Sequence, residues 1–332
     1  MPRRFGLKAL PVAAALILAL AGCGSDGRKT ASDRPATLLL DFRPNAVHAG
    51  IYETLAKDYD GAEEVALDVR VPGDSTDAVK LLAARRTDLA ILDIHDLAIA
   101  RERGRDLVGV MAIVQKPLAA VLAVPRIRTP RDLEGKRVGV TGLPSDDAVA
   151  RSIVAGAGGD PDRLRLTTIG FEAVRSLLTN RAAGATAFWN VEGVALRAKR
   201  PNIREFRVDD YGAPSYPELV LTVTRETLRG KPQLVGDVVK ALARGYGAVI
   251  ADPEAGLNAL LARTDGLERE TAKRELDAVL PAFTAGARRY GELDPGRLRA
   301  WARWDRRFGI VKRLPDAAQA FDGRFVPAAR GR

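Results

Sequence analysis

The chain holds one cysteine and two histidines in 332 residues. A single cysteine excludes an internal disulfide and leaves no second thiol for a redox pair. No Gly-x-Ser-x-Gly elbow occurs, so nothing supports nucleophilic catalysis, and the protein is expected not to be an enzyme. A metal site built from His48 and His95 with Asp93, Asp96 or Glu192 is chemically possible. These residues lack the i, i+3 or i, i+4 spacing of a ligand pair, and no metal is expected. Gly139-Val140-Thr141-Gly142 has neither the lysine of a P-loop nor the third glycine of a dinucleotide fingerprint, and no cofactor is expected. The formal net charge is +10, yet Lys and Arg are dispersed among Asp and Glu. No dense basic tract with interleaved aromatics exists, which argues against nucleic acid as a partner. No repeat of short period is present.

What is present begins with a leader. Arg3, Arg4 and Lys8 form a basic start, and Ala9 to Leu20 is an apolar run too short to span a bilayer as a resident helix. Without those three charges the mature chain carries about +7. The run ends in Leu20-Ala21-Gly22-Cys23, which resembles the lipobox of bacterial lipoproteins. Residues 1–22 are thus expected to be a signal peptide. The sole cysteine, Cys23, becomes the lipidated N-terminus of a polar tether over 23–36. The expected location is the outer face of the cell membrane, anchored by lipid.

From Thr37 strands and helices alternate, which predicts an α/β protein with mainly parallel sheets. Apolar runs at 37–40, 65–71, 89–92 and 107–114 read as strands, and a helix led by Ser75 carries Val79, Leu82 and Ala83. After Gly135 the pattern restarts with strands at 137–140, 164–169 and 186–189. Beyond residue 224 the chain reads as helices. In the last of these, Leu298, Trp301, Trp304 and Phe308 make an amphipathic face whose tryptophans belong to the core. Two apolar segments, 119–124 and 219–224, are taken as crossings between two lobes. The first lobe is then discontinuous, 37–121 with 220–315, the second is 122–219, and 316–332 is a loose tail.

Polar or aromatic clusters come directly after five of the strands, at 41–52, 93–96, Gln115, 141–145 and 188–192. In open α/β sheets the carboxyl ends of strands are where ligands bind, so the five point to one cleft between the lobes. Gly50 is expected to leave a helix start open to a ligand. The candidate contacts are Asp41, Phe42, Asn45, His48, Tyr52, Asp93, Gln115, Thr141, Gly142, Trp189, Asn190 and Glu192. Phe42, Tyr52 and Trp189 would be plates for a ring, while Asn45, His48, Gln115 and Glu192 would orient it.

These residues carry a resemblance. Asp41-Phe42-x-Pro44-Asn45-x-x-His48-x-Gly50-Ile51-Tyr52 and Phe188-Trp189-Asn190-Val191-Glu192-Gly193 resemble two motifs of periplasmic binding proteins for thiamine pyrimidine precursors. Val208-Asp209-Asp210-Tyr211-Gly212 and Tyr216-Pro217-Glu218 are similar to further segments of them. Sulfonate- and riboflavin-binding proteins share the wider family, as do eukaryotic pyrimidine-precursor synthases. The resemblance implies a type II periplasmic-binding fold, two α/β lobes on a double-stranded hinge, closing over one small ligand. It also implies an ABC permease and ATPase as partners, and a monomer is expected. Phe stands at 42 where Trp is frequent and at 188 where Tyr is common. The alternatives are a riboflavin- or sulfonate-type receptor, a lipoprotein sensor feeding a membrane kinase, and a synthase-like enzyme using His48. The synthases carry a cysteine-rich motif that this chain lacks.

Overall fold

The computed structural model describes Met1 and residues 33–328, so the leader and Cys23 lie outside the described residues. Along the chain come β1 (Arg34–Leu39), α1 (Ala49–Ala56), β2 (Val65–Arg70), α2 (Asp77–Ala83), β3 (Leu89–Asp93), α3 (Ile94–Glu102) and β4 (Leu107–Ala112). Next are β5 (Ala119–Ala123), β6 (Arg137–Val140), α4 (Pro144–Gly156), β7 (Arg165–Thr168), α5 (Ala173–Leu178), β8 (Gly184–Phe188), α6 (Glu192–Lys199) and β9 (Arg204–Arg207). The remainder is β10 (Leu219–Thr224), α7 (Arg225–Gly230), α8 (Pro232–Ala251), α9 (Pro253–Leu261), α10 (Arg269–Val279), α11 (Pro295–Arg307) and α12 (Ala317–Ala320).

The strands form two five-stranded sheets, β2-β1-β3-β10-β4 and β7-β6-β8-β5-β9. In each, the fourth strand runs antiparallel to both neighbours and the pairs on the far side are parallel. The two lobes therefore share one topology. The central strands β3 and β10 are almost wholly apolar because helices or the other lobe cover both faces.

This arrangement moves the hinge. The runs taken as crossings are not linkers: 119–123 is strand β5 of the second sheet and 219–224 is strand β10 of the first. The chain changes lobes at 113–118 and again at 208–218. A continuous apolar run reads the same whether it crosses a hinge or fills the centre of a sheet, so the pattern set the boundary a few residues late.

The tail is also not loose as far as residue 328. Phe321 bridges Gly109 on β4, its ring lies 5.7 Å from that of Trp301, and Ala320 and Val326 are buried. Trp301 and Trp304 are core residues, as their spacing predicts. Gly50 serves packing rather than a ligand. A Cβ there would lie 2.2 Å from the Tyr246 ring, and one at Gly245 would lie 2.3 Å from the Gly50 carbonyl, so α1 and α8 touch backbone to backbone. Ser75 does not cap α2, whose N-cap is Thr76. Its hydroxyl instead donates to the Thr141 carbonyl of the other lobe at 3.2 Å. Among the described residues no helix is long and apolar enough to cross a membrane.

Candidate functional site

The loop after β1 is fixed by its own side chains. Asn45 accepts the Val47 N–H at 2.9 Å through Oδ1, and the Asn45 N–H donates to His48 Nδ1 at 3.2 Å. Because Nδ1 accepts, the ring proton sits on Nε2, which donates to Asp41 Oδ1 at 2.9 Å. His48 is fully buried and acts as a post that aims Asp41.

Asp41 lines a cavity of about 90 Å³ between the lobes. A single water needs roughly 10–15 Å³ on the same measure, so the space suits one ring with small substituents. Lobe one contributes Asp41, Phe42, Asn45, Ser75, Asp93 and Asp96; lobe two contributes Thr141, Ser145, Asp146, Phe171, Thr186, Phe188 and Glu192. Phe42 and Phe171 meet across the cleft edge to face, with centroids 4.4 Å apart. Arg43 sits over the outer side of Phe171 and faces Glu172 at 3.6 Å. With the Ser75–Thr141 bond, these contacts hold the lobes closed.

Five carboxyl groups line this space, and among the described lining residues there is no Lys, Arg or His. Three of them are placed by backbone N–H groups. Asp93 caps α3 by accepting the His95 N–H at 2.7 Å. Asp146, in the first turn of α4, accepts the Thr141 N–H at 2.7 Å together with the Thr141 hydroxyl. Glu192 opens α6 and accepts the Phe188 N–H at 3.1 Å. Burial pushes Glu192 up to about 7, against the pull of two backbone N–H groups and with the charges of Asp146 and Asp41 adding to it. Burial likewise raises Asp96 well above the usual range, aided by Asp93 and Asp146, and raises Asp146.

Behind Asp93 lies a second buried layer. Glu218 takes the N–H groups of Leu118 and Ala119, and burial raises both Glu218 and Asp93. His95 is bonded to Asp305 at 2.7 Å and to Tyr216 at 3.0 Å. Burial pulls its pKa down, but the charges of Asp305 and Asp93 outweigh that and set it at about 10. Polar atoms of Asp93, His95 and Glu218 come within 4.8 Å of one another. Both ring nitrogens of His95 already face hydrogen-bond partners, so the imidazole has no free lone pair to offer a metal.

Of the residues singled out in the sequence, Asp41, Phe42, Asn45, Asp93, Thr141 and Glu192 line the cavity. The other six do not. His48 stands behind Asp41, and Tyr52 packs against Ala259 and Leu260. Gln115 donates to the Glu292 carbonyl at 2.9 Å, in the first crossing segment. Gly142 borders a neighbouring groove and takes the left-handed turn, φ 102°, before α4. Trp189 is buried with its N–H on the Pro117 carbonyl at 3.0 Å and Arg207 stacked 4.1 Å away, so it braces the hinge. Asn190 is fully buried and neither polar atom of its side chain has a partner. Asp96 and Ser145 fall within the clusters 93–96 and 141–145 but were not among the candidate contacts, and Asp146 and Phe171 were not anticipated. An acid in a helix's first turn reads as an ordinary cap or dipole partner, which hides Asp96 and Asp146.

Two lobes of one topology, hinged by two crossings and closed over a buried cavity, define a type II periplasmic-binding fold. The alkanesulfonate-binding protein SsuA of Xanthomonas axonopodis pv. citri, bound to MOPS, superposes with a TM-score of 0.69 at 15% identity, over 89% of this chain and 100% of that one. In sequence, the chain belongs to the NMT1/THI5-like family, whose model matches residues 45–256. It is 32% identical over 256 residues to a formylaminopyrimidine-binding protein of Halalkalibacterium halodurans, covering 75% of this chain and 77% of the relative. It is 22% identical over 299 residues to a 4-amino-5-hydroxymethyl-2-methylpyrimidine phosphate synthase of Legionella pneumophila, covering 88% and 92%.

Proposed function

We propose that this protein is the solute receptor of an ABC importer, held at the outer face of the membrane through Cys23, and that it captures a small aromatic nitrogen heterocycle. A thiamine pyrimidine precursor is the first choice. The observation that carries this reading is the cavity itself. It is one ring in size, bordered by Phe42, Phe171 and Phe188, and supplied with carboxylate acceptors. An aminopyrimidine offers a flat face for the rings and N–H donors for Glu192 and Asp41. The formylaminopyrimidine-binding relative supports the same choice. Permease and ATPase subunits are the implied partners, reached by the lobe-closed complex.

The competing ligands fit less well. A sulfonate would enter a space with five carboxyl groups and no cation among its described lining residues. The three fused rings of a flavin exceed the volume. The synthase-like reading needs a reactive His48, and both nitrogens of that ring are engaged in holding the loop. Thermal shift on the soluble domain separates the ligand classes. A ligand at about a hundredfold over its dissociation constant stabilises by about 2.7 kcal/mol. 4-Amino-5-hydroxymethyl-2-methylpyrimidine and its 5-formylaminomethyl counterpart are expected to raise Tm, while riboflavin and an alkanesulfonate are not. Stabilisation by the sulfonate or flavin with none by the pyrimidines would refute the assignment. Cys23→Ser is expected to release the protein from the membrane fraction, and equal retention would refute the anchor.

A further inference from the structure

The carboxyl groups of the cavity form a row, and the row crosses from one lobe to the other. Glu192 feels the charges of Asp41 and Asp146; Asp96 feels those of Asp146 and Asp93; Asp93 in turn feels Glu218. Asp96 stands in the first turn of α3 and Asp146 in the first turn of α4, and these helices pack together at the lobe interface. Asp96 is only 5% exposed. The Ser145 hydroxyl bonds to it from the second lobe. The closed lobes thus bring acids from both sides into one space.

Among the described residues no Lys, Arg or His lines this space. Arg43 is held outside by Glu172 and Phe171, Lys116 pairs with Asp209 at 3.6 Å, and Arg151 pairs with Asp162 at 3.1 Å. Lys80 borders the adjoining groove rather than the cavity. His48 is committed to Asp41, and the charge of His95 is engaged by Asp305. Carboxyl groups gathered in one space without a Lys or Arg favour a positive charge brought in from outside.

We infer that Asp96 and Asp146, with Ser145 between them, receive a primary ammonium group on the ligand's side chain, so that the protein selects an aminoalkyl-substituted heterocycle over its hydroxyl and N-acyl counterparts. An ammonium carries three donors and a charge, which matches acceptors drawn from both lobes. It bridges α3 to α4 and so acts as the latch of closure. Burial raises both carboxyls above their usual range, and a cation between them relieves that cost. The inference rests on the cavity as the ligand site and deepens the choice of ligand made there.

The test compares ligands of one shape by calorimetric titration at pH 7. The probes are 2-methyl-4-amino-5-aminomethylpyrimidine, the corresponding 5-hydroxymethyl compound and the 5-formylaminomethyl compound. Benzylamine and benzyl alcohol form a pyrimidine-free pair. The aminomethyl compound is expected to bind at least tenfold more tightly than the other two pyrimidines. Asp96→Asn and, separately, Asp146→Asn should each lower the amine-to-alcohol affinity ratio at least tenfold, with circular dichroism reporting that each variant is folded. If no pyrimidine binds but benzylamine is preferred to benzyl alcohol, the ammonium site stands and the pyrimidine assignment falls. If the hydroxymethyl or formyl compound binds as tightly as the amine, the ammonium site is wrong and the pyrimidine assignment survives. Silence from all five probes overturns both.

Discussion

The carboxylate of Glu218 accepts the backbone N–H of Leu118 at 2.5 Å, tying the second crossing of the hinge to the first. The same oxygen takes the Ala119 N–H at 3.1 Å, and the Glu218 carbonyl accepts the Ile94 N–H at 2.9 Å at the start of α3. Through its side chain and its carbonyl, this one fully buried residue connects both crossings to the helix that carries Asp96. Its other oxygen, Oε1, has no donor of its own and sits beside Asp93. A proton shared between the two acids satisfies it, in keeping with the raised pKa of each.

Glu218→Ala is expected to cost about 3 kcal/mol, because it orphans two buried N–H groups. Glu218→Gln keeps an acceptor for Leu118 and a donor for Asp93, and is expected to cost less than half as much. Urea unfolding of the three proteins checks the order. Equal losses for Ala and Gln would show that packing, not the hydrogen bonds, is what Glu218 supplies.

Glu275 makes the stability pH-dependent. It is 5% exposed, burial pushes it up to about 7 from 4.5, and Oε2 has no hydrogen-bond partner. The folded state thus binds its proton more tightly than the unfolded chain. Its contribution is fully present below pH 4.5 and is lost as pH rises towards 7. One pKa unit corresponds to about 1.4 kcal/mol, so the loss is on the order of 1–3 kcal/mol. Glu275→Gln keeps an acceptor for the Ala46 N–H without the titration, and should flatten the profile between pH 5 and 7.5. Glu192, also set at about 7, contributes in the same window and remains in the variant. Urea midpoints at the two pH values decide it, and an unchanged slope would remove Glu275 from the account.

The architecture was readable wherever a strand handed its polar residues to a helix. Leu38 to Leu40 and Leu89 to Leu92 mark strands by their apolar composition, and the acids at their ends, Asp41 and Asp93, mark a cleft. The hinge was not readable to the residue, because β5 and β10 read as largely apolar runs, and such a run looks the same inside a sheet as across a hinge. Within the site, sequence identified the loops but not the direction of their side chains. In 41–52 the bends present Asp41 and Phe42 to the cavity, while the short turn 46–48 carries His48 inward. Past β8, Phe188 faces the ligand space and Trp189 turns back over Pro117. No periodicity encodes such turns: His48 is held by Asp41 and Asn45 of its own loop, and Trp189 by Pro117 far along the chain.

The aromatic pair across the cleft is expected to slow its opening. Phe42 and Phe171 come from different lobes and meet at an interplanar angle of 74°. Such pairs contribute about 0.5–1.5 kcal/mol beyond burial. Phe171→Ala is expected to speed ligand dissociation by roughly three- to tenfold, as that energy translates into rate. Stopped-flow displacement measures it, and an unchanged dissociation rate would mean that the two rings do not hold the cleft shut.

The most direct test of the central claim is calorimetric titration of the soluble domain, wild type and Glu192→Gln, with the tightest-binding aminopyrimidine. The account predicts one site per chain in the wild type and a loss of roughly 1.5–3 kcal/mol in the variant, the range for a hydrogen bond to a charged group. That is about ten- to a hundredfold in dissociation constant, with unfolding of the free protein little changed. No binding heat from any aminopyrimidine, or equal affinity in the two proteins, would contradict it.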